Sequence, residues 1–331
     1  MPLRYSLELT YRCNLNCPYC YIGDERNKPE MSTQEWFDII DQIPFYALVT
    51  IIGGEVFLRE DFMEIFARAS KKTLGKVNLI TNGILLSETI IDDLIKNNLL
   101  LLCVSLDGYG ENHDINRNRA GIFDKIISNL ELFNSKRKNR KPLVDIKTIV
   151  LENNLDDLVK LYKLCKDMDF DFYSVSFKRN SNLKQNSILR DTFSEEFYNQ
   201  EYPIEPYFDM EHFKEVYKEI ESLEKTCKTK IRWAPKFNPT GDIKRIEKFF
   251  SLGNTPVSEI YSPCYYPFSN MIINPQGDVY PCLSYKVGNV KGKKLIDAYN
   301  ETKFRCFRKN LKASKVFNSC QMCCELWPKI Q

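Results

Sequence analysis

The sequence predicts an α/β fold in which helices cover a parallel sheet from the outside. Between residues 5 and 177, short apolar runs rich in β-branched residues alternate six times with segments of helical periodicity. Such alternation is typical of repeated βα units. Most of the runs end in a cluster of Gly, Asn, Ser or Asp. The carboxyl ends of parallel strands share one edge, and in α/β barrels that edge carries the chemistry.

The predicted elements follow one another closely along this part of the chain. The first strand leads into a loop with three cysteines, and the first helix begins at Ser32, with Glu35 three residues later as in a capping box. The predicted strands are 5–10, 47–52, 76–81, 99–106, 143–151 and 172–177, and the predicted helices are 32–43, 61–74, 87–97, 121–136 and 155–168.

The regular alternation stops after residue 177. Residues 178–209 are polar and aromatic without a clear period, and a helix is expected at 210–227. An irregular stretch then reaches residue 262. A hairpin is expected at 271–280, because a Pro-Gln-Gly-Asp turn interrupts two β-rich runs there.

The break in the pattern predicts two domains. Residues 1–230 form the first domain, in which 178–230 are a less regular extension, and residues 231–331 form the second. Six of the twelve cysteines fall in the second domain. Such a concentration of thiols in a small domain indicates a metal site, because reducing compartments disfavour disulfides.

Charge and hydropathy limit the partners of the chain. The formal net charge of +3 is close to balanced, so neither nucleic acid nor an anionic membrane is expected as a partner. The amino terminus lacks the apolar segment of a signal peptide. The longest apolar run, Leu99–Leu106, is too short to cross a bilayer. We therefore expect a soluble, cytoplasmic protein.

The amino-terminal cysteines, Cys13, Cys17 and Cys20, have the spacing C-x3-C-x2-C. Three thiolates on one tight loop can hold three irons of a [4Fe–4S] cluster and leave the fourth iron open. An open iron can bind a substrate or a cofactor, so this site is predicted to be reactive. The chain has only two histidines, which favours all-thiolate clusters over mixed Cys/His zinc sites.

The carboxyl-terminal cysteines form a second candidate site. Four of them are enough to saturate one [4Fe–4S] cluster, and a saturated cluster suits electron transfer. A structural zinc ion held by four thiolates is the alternative. Cys324 competes with Cys323 as the last ligand, and Cys306 has no assigned role. The predicted set is Cys264, Cys282, Cys320 and Cys323.

Two groups of motifs resemble a known family. The cysteine loop carries Tyr19 before its last cysteine, and Gly53-Gly54-Glu55 follows the second predicted strand. This combination resembles the radical S-adenosylmethionine (SAM) superfamily. Gly277-Asp278-Val279-Tyr280-Pro281-Cys282, with Gly288-Asn289-Val290 and the last cysteines, resembles the SPASM/twitch auxiliary-cluster domain. The resemblance implies a partial (β/α)6 TIM-like barrel followed by a small α+β cluster-binding domain.

The resemblance also implies the cofactors and their ligands. The amino-terminal cluster binds SAM through its open iron, and the second set of cysteines holds one auxiliary [4Fe–4S] cluster. Val56 stands where the family usually has Pro. The implied cofactor-binding residues are Tyr19, Gly53, Gly54, Glu55, Asn82, Ser105, Asp107 and Arg117. The implied metal ligands are Cys13, Cys17, Cys20, Cys264, Cys282, Cys320 and Cys323.

Individual roles follow from the same resemblance. The Gly-Gly-Glu motif receives the amino group of SAM, and Tyr19 lies beside the adenine. Ser105 and Arg117 hold the carboxylate of SAM. Asn82 and Asp107 line the same rim of the barrel. The sequence identifies no catalytic base or hydrogen donor.

The implied activity is reductive cleavage of SAM to a 5′-deoxyadenosyl radical, which abstracts hydrogen from a substrate. The sequence His113-Asp114-x-x-Arg117 resembles a motif of peptide-modifying members. We therefore expect a peptide or protein side chain as the substrate, in the maturation of a ribosomally made peptide. A dehydrogenase or epimerase of a small molecule, such as a sugar or an aminocyclitol, is the alternative. A non-catalytic iron–sulfur carrier is a third hypothesis.

The expected partners follow from this activity. Reductive cleavage requires an electron donor such as flavodoxin or ferredoxin. No leader-recognition module precedes Tyr5, where the first strand begins. Leader binding is therefore expected from a separate leader-peptide-binding protein or from residues 178–230.

Overall fold

In the computed structural model, ten strands form one sheet in the order β10-β9-β8-β1-β2-β3-β4-β5-β6-β7. The structure describes residues 1–22, 26–178, 204–237, 243–282 and 286–329. The strands are β1 (Arg4–Glu8), β2 (Leu48–Ile52), β3 (Val77–Thr81), β4 (Leu101–Ser105), β5 (Leu143–Val150), β6 (Phe172–Phe177), β7 (Lys230–Ala234), β8 (Asn270–Ile273), β9 (Asp278–Tyr280) and β10 (Gly288–Asn289). Strands β1 to β8 pair in parallel, whereas β9 and β10 pair antiparallel.

Helices connect the parallel strands. The α-helices of the described residues are α1 (Thr33–Ile40), α2 (Phe62–Thr73), α3 (Glu88–Lys96), α4 (Glu111–Arg117), α5 (Ile122–Lys136), α6 (Leu155–Asp167), α7 (Met210–Glu224), α8 (Ile243–Phe250), α9 (Val257–Ile260), α10 (Leu295–Tyr299) and α11 (Thr302–Ser314). No helix of this described part of the chain is long and apolar enough to span a bilayer.

The capping box predicted for α1 is present. The hydroxyl of Ser32 accepts a hydrogen bond from the backbone N–H of Glu35, and the Glu35 carboxylate accepts one from the backbone N–H of Ser32. The helix ends at Ile40 instead of residue 43. Pro44 disfavours helical geometry in the residue before it, which explains the early end.

Alternate residues divide the sheet into two faces. On the face that the helices cover, Val144 and Ile146 of β5 are 0% exposed. The opposite face, which we call the inner face, carries polar side chains. There Cys103 of β4 lies opposite Asp145 of β5, and Lys147 follows two residues later along the same face. The inner face is therefore the polar lining of the partial barrel.

The carboxyl-terminal residues extend the same sheet. Strand β8 pairs in parallel with β1, with Tyr5 opposite Met271, and β9 returns antiparallel to β8. The predicted hairpin is thus present. The boundary predicted between residues 230 and 231 falls within β7, and the sheet is continuous on both sides of it. The division into two domains stays a prediction.

The structure contains elements that the sequence did not predict. The sequence predicts no element between residues 228 and 262, and this is wrong, because β7, α8 and α9 lie there. Strand β7 has only five residues, so its alternation of charged and apolar side chains is a weak signal. Helix α4 was also missed. Most of the polar stretch predicted at 178–209 lies outside the described residues.

Candidate active site

The cysteine loop is held against the end of β2 by backbone contacts. The N–H of Gly54 donates to the carbonyl of Thr10 at 2.8 Å, and the N–H of Glu55 donates to the carbonyl of Arg12 at 2.8 Å. A Cβ on Gly53 would lie 2.2 Å from the Thr10 carbonyl oxygen, and one on Gly54 would lie 2.2 Å from that of Arg12. These positions therefore require glycine for close approach of two backbones.

Cys13, Cys17 and Cys20 are half-buried on this loop. The sulfur of Cys13 accepts the N–H of Leu15 at 3.4 Å, and Nη1 of Arg117 lies 3.8 Å from the sulfur of Cys17. Burial raises the pKa of both thiols, so iron binding must displace their protons. Hydrogen-bond donors beside the sulfurs and three thiols on one short loop fit a cluster with three protein ligands.

Glu55 is fully buried and holds the end of β3. Its carboxylate accepts hydrogen bonds at 2.9 Å from the hydroxyl of Thr81 and from the backbone N–H of Asn82. Burial raises the pKa of Glu55 to about 7, despite these hydrogen bonds. The Asn82 side chain in turn donates to Oδ1 of Asn14 in the cysteine loop at 2.7 Å. Glu55 and Asn82 therefore position the loop against the rim.

Asp107 lies just beyond β4 and connects three parts of the site. Its Oδ2 accepts a hydrogen bond of 2.6 Å from the hydroxyl of Tyr19 and forms an ion pair of 2.5 Å with Arg117. Its Oδ1 accepts the N–H of Ile149 at 2.7 Å. Burial opposes the charge of Arg117, but the Asp107 carboxylate raises its pKa on balance. The Nε of Arg117 is buried and has no hydrogen-bond partner.

The His-Asp-x-x-Arg sequence lies on α4 and contacts Asp107 through His113 and Arg117. The backbone N–H of Asp107 donates to Nδ1 of His113 at 3.1 Å, so this nitrogen carries no proton. Burial and the nearby Arg117 lower the pKa of His113 to about 4. Asp114 accepts the N–H of Phe123 at 2.9 Å and so caps the start of α5. Each motif residue thus has a positioning role that is visible in the structure.

The predicted SAM-binding residues lie together at one edge of the sheet. Ser105 is the last residue of β4 and lies opposite Lys147 in the register of β5. Asn82 follows β3, Glu55 follows β2, and Asp107 follows β4. This is the carboxyl edge of the parallel strands, as predicted. Their contact with SAM stays a prediction.

Glu8, at the end of β1, is a polar residue of this edge that the sequence analysis missed. It accepts a hydrogen bond of 2.6 Å from the hydroxyl of Tyr11 and one of 3.1 Å from that of Tyr21. Burial raises the pKa of Glu8. A charged residue that ends an apolar strand is the sequence signal that marks it.

The second group of cysteines lies around the end of the chain. Cys320 and Cys323 share one turn, in which the N–H of Cys323 donates to the Cys320 carbonyl at 3.2 Å. The N–H of Cys264 donates to the carbonyl of Lys315 at 2.9 Å, which brings Cys264 close to that turn. Cys306 is exposed on α11. The turn and the Cys264 segment thus bring three predicted ligands to one region.

Tyr266 reports on the remaining cysteines of this group. Its pKa is raised by burial and by the nearby acidic groups Glu325, Cys324 and Cys282. Both Cys282 and Cys324 therefore lie close to Tyr266, so either Cys323 or Cys324 can complete the set. All twelve cysteines fall within the described ranges, and none forms a disulfide.

The second group lies at the opposite edge of the sheet from the cysteine loop. Cys264 lines a cavity of about 350 Å³ together with Leu3 and Arg4, which precede and begin β1. In the described part of the chain, no three Cys, His, Asp or Glu side chains are close enough to hold a single metal ion. A [4Fe–4S] cluster is larger than one ion, and its binding by four of these thiolates stays a prediction.

Comparison with known proteins identifies the family. Residues 7–165 match the family model of the radical SAM superfamily, and residues 264–324 match the SPASM iron–sulfur cluster-binding domain. The chain therefore contains a radical SAM domain. Its carboxyl-terminal part is an auxiliary iron–sulfur domain of the SPASM type. The cofactors of this class are [4Fe–4S] clusters and SAM.

A curated relative is the AdoMet-dependent heme synthase of Methanosarcina barkeri. It is 33% identical over 181 residues, which cover 53% of this chain and 50% of that protein. The chain thus spans about half the length of this relative.

Solved structures confirm the α/β fold with a partial barrel. Streptococcus suis SuiB bound to SAM matches with a TM-score of 0.68 and 17% identity, over 93% of this chain and 68% of that chain. The native anSMEcpe structure with bound AdoMet matches with a TM-score of 0.65 and 20% identity, over 98% of this chain and 90% of that chain. At these identities the likeness shows the fold alone.

Proposed function

We propose that the chain cleaves SAM reductively and abstracts a hydrogen atom from a peptide or protein side chain. The strongest support is that hydrogen bonds connect the cysteine loop to residues at one edge of the sheet, namely Gly54, Glu55, Asn82 and Asp107. In this proposal Cys13, Cys17 and Cys20 hold the cluster. SAM bound beside this cluster would supply the 5′-deoxyadenosyl radical that abstracts the hydrogen atom.

The residues of the chain provide the positioning that this reaction needs. Gly53 and Gly54 allow the cysteine loop to approach the end of β2, where the methionine part of SAM would bind. Arg117, whose Nε has no hydrogen-bond partner, and Ser105 hold the SAM carboxylate in this proposal. Tyr19 lies beside the adenine. By holding SAM beside the cluster, these residues would remove much of the orientational cost of the reaction.

The peptide substrate is supported by two structural neighbours. A structure of SuiB is bound to its precursor peptide SuiA, and one of anSMEcpe is bound to AdoMet and a peptide. A small-molecule substrate is the second candidate, because the relative with 33% identity is named as a heme synthase. An electron donor such as flavodoxin or ferredoxin completes the proposed reaction.

The auxiliary site is proposed to hold one [4Fe–4S] cluster through Cys264, Cys282, Cys320 and either Cys323 or Cys324. Anaerobic reconstitution is expected to give about eight iron and about eight sulfide per chain for two such clusters. About four of each would contradict the auxiliary cluster, and zinc in place of that iron would support a structural zinc ion.

The activity is tested by anaerobic incubation of the reconstituted chain with dithionite and SAM. We expect 5′-deoxyadenosine to form, and Cys17→Ala to abolish it, because the cluster loses one of its three ligands. Cys306→Ala is the matched control and keeps the activity, since Cys306 is exposed and lies outside both sets. If the unaltered chain releases none with its substrate present, the non-catalytic carrier is favoured.

The two substrate classes are separated by deuterium transfer. Cells of the source are grown on deuterated medium, and their peptide and small-metabolite fractions are supplied separately to the enzyme. Deuterium in 5′-deoxyadenosine from the peptide fraction supports peptide maturation. Deuterium from the small-metabolite fraction alone would overturn it in favour of the dehydrogenase or epimerase.

A further inference from the structure

The inner face of the sheet carries a charged cluster that adjoins the SAM-binding edge. Asp145 and Lys147 project from β5, Ser174 from β6 and Arg232 from β7. The register places Ser174 opposite Lys147 and opposite Arg232 in the neighbouring strands. We call these four residues the inner-face cluster. Burial of a charged side chain in the middle of a parallel strand costs free energy unless the charge is paired and hydrogen-bonded.

Asp145 is the centre of the cluster. Its Oδ2 accepts hydrogen bonds of 3.0 Å from Nζ of Lys147 and 3.0 Å from the hydroxyl of Ser174, and Nη1 of Arg232 lies 3.8 Å away. The residue is 1% exposed, and its Oδ1 is buried without a hydrogen-bond partner. An unsatisfied buried carboxylate oxygen is unfavourable, so this atom points to a donor supplied by a ligand.

The cluster has more positive than negative charge. Lys147 and Arg232 contribute two cations against the one carboxylate of Asp145. Their side chains are 37% and 47% exposed, so both charges reach open space. The guanidinium of Arg232 stacks on the ring of Phe172 at 3.3 Å, which fixes its orientation. An oriented guanidinium beside an ammonium suits a carboxylate ligand. The net charge of the cluster is only +1, and the Asp145 carboxylate repels anions. A doubly charged phosphate is therefore disfavoured.

The cluster begins level with Ser105 of the proposed SAM site and continues from there toward the amino end of β5. Ile149 of β5 donates its N–H to Asp107, and Ser105 is opposite Lys147. Strands rise about 3.3 Å per residue, so Lys147 lies roughly 7 Å and Asp145 roughly 13 Å below Ile149. A group bound by the cluster therefore sits inside the partial barrel, with the rest of its molecule directed at the SAM edge.

We propose that the inner-face cluster is a substrate-binding site, in which Lys147 and Arg232 bind a carboxylate of the substrate and Asp145 accepts a hydrogen bond from a neighbouring N–H. The inference deepens the proposed function and rests on it for the identity of the bound molecule as substrate. The carboxylate comes either from an acidic side chain or from a free carboxyl terminus, and both carry an adjacent amide N–H.

Labelled amino-acid derivatives test this site by anaerobic equilibrium dialysis against the reconstituted, SAM-loaded chain. N-acetylglutamic acid amide offers a side-chain carboxylate, and N-acetylalanine offers a terminal one. N-acetylglutamine amide is the neutral control of matching shape. We expect the carboxylates to bind at least about tenfold more tightly than the amide, because one charge-assisted hydrogen bond contributes about that factor to the affinity. The tighter of the two identifies the source of the carboxylate.

Variants assign the binding to the cluster. Lys147→Met and Arg232→Met are each expected to weaken carboxylate binding by about tenfold. Lys147→Glu is expected to reverse the preference toward N-acetyllysine amide. Lys163→Met removes an exposed cation that pairs with Glu219, and it leaves binding unchanged.

Equal binding of acid and amide by the unaltered chain would overturn the proposal. The proposal would also be overturned if Lys147→Met and Arg232→Met bound the acids as tightly as the unaltered chain. Circular dichroism checks that each variant is folded. The proposed function is measured separately, as 5′-deoxyadenosine release by the unaltered chain with dithionite, SAM and the peptide and small-metabolite fractions. Carboxylate binding without that release would reject the proposed function and leave this binding site standing.

Discussion

The hydroxyl of Tyr19 donates a hydrogen bond of 2.6 Å to the carboxylate of Asp107, which lies 88 residues further along the chain. Tyr19 belongs to the cysteine loop, and Asp107 follows β4. Because Asp107 also pairs with Arg117 and binds the backbone of β5, this one bond ties the loop to the rim of the barrel. The position of the cysteines therefore depends on residues that are distant in sequence.

Tyr19→Phe removes the hydroxyl and leaves a buried carboxylate with one donor fewer. We expect the unfolding free energy to fall by about 1–2 kcal/mol, as is typical for such a loss. The affinity for SAM should fall by several-fold, because the loop is no longer fixed to the rim. Urea denaturation and SAM dialysis measure these effects. Tyr46→Phe, at an exposed tyrosine, is the control, and equal effects in both variants would argue against the role of Tyr19.

Gly54→Ala is expected to prevent assembly of the amino-terminal cluster. The new Cβ would overlap the carbonyl oxygen of Arg12, which is backbone and cannot rotate away. Iron after reconstitution should fall from about eight to about four per chain. Gly253→Asn is the matched control, since Gly253 has a φ of +53° that Asn tolerates and no atom near its Cβ position. Full iron content in Gly54→Ala would refute the close-approach argument.

The stability of the metal-free chain is expected to depend on the protonation of Glu55. Its pKa is raised from 4.5 to about 7, so the folded chain binds this proton more tightly than the unfolded chain. The stabilisation is fully present below pH 4.5 and is lost as the pH rises through 7. One pKa unit corresponds to about 1.4 kcal/mol, so the loss should be about 3 kcal/mol.

Glu55→Gln tests this pH dependence because glutamine is a neutral side chain of the same shape. Urea denaturation between pH 5 and 8 is expected to show a steeper decline in unfolding free energy for the unaltered chain than for the variant. Parallel curves would show that Glu55 does not carry the effect.

The last ligand of the auxiliary cluster can be assigned by single substitutions. Cys323 shares the turn of Cys320, whereas Cys324 lies close to Tyr266. We expect Cys323→Ala to lose about four iron per chain and Cys324→Ala to retain them. The reverse result would move the ligand to Cys324. Iron and sulfide counting after anaerobic reconstitution makes the distinction.

A chain shortened to end at residue 262 is expected to be poorly soluble. Strand β8 covers one edge of β1, and its removal exposes unpaired N–H and carbonyl groups along that edge. Size-exclusion chromatography of the soluble fraction is the measurement. The full chain with Cys320→Ala keeps β8 and should remain monodisperse. A soluble, monomeric shortened chain would contradict this expectation.

Much of the fold was predictable because local sequence signals, such as helix caps and strand-forming runs, agree with the elements that the whole chain forms. The capping box of Ser32 and Glu35 and the limits of β6 were predicted correctly. Helix α4 was missed because it is short and its N-cap residue is Gly110, which has a positive φ and offers no side-chain cap. Pairing of β8 with β1 spans most of the chain, and no local pattern encodes such a contact.

The candidate site was predictable where motifs are local and not where it depends on the strand register. Tyr19, Glu55 and Asp107 were identified through the resemblance of their motifs to the radical SAM family. The inner-face cluster was not, because Asp145, Lys147 and Arg232 come from strands far apart in sequence. The polar/apolar alternation of β5 was the available signal, since a strand covered on both faces by helices would be apolar throughout.

The pairing of β1 with β8 has a consequence for the distance of electron transfer between the two cysteine sites. The cysteine loop follows the carboxyl end of β1, and Cys264 lies beside its amino end. Clusters held by these cysteines would therefore lie at least about one strand length apart along β1, roughly 16 Å for five residues. Backbone hydrogen bonds hold this spacing, so substitutions of surface side chains leave the electron-transfer distance unchanged. Insertion of residues into β1 would alter that distance directly.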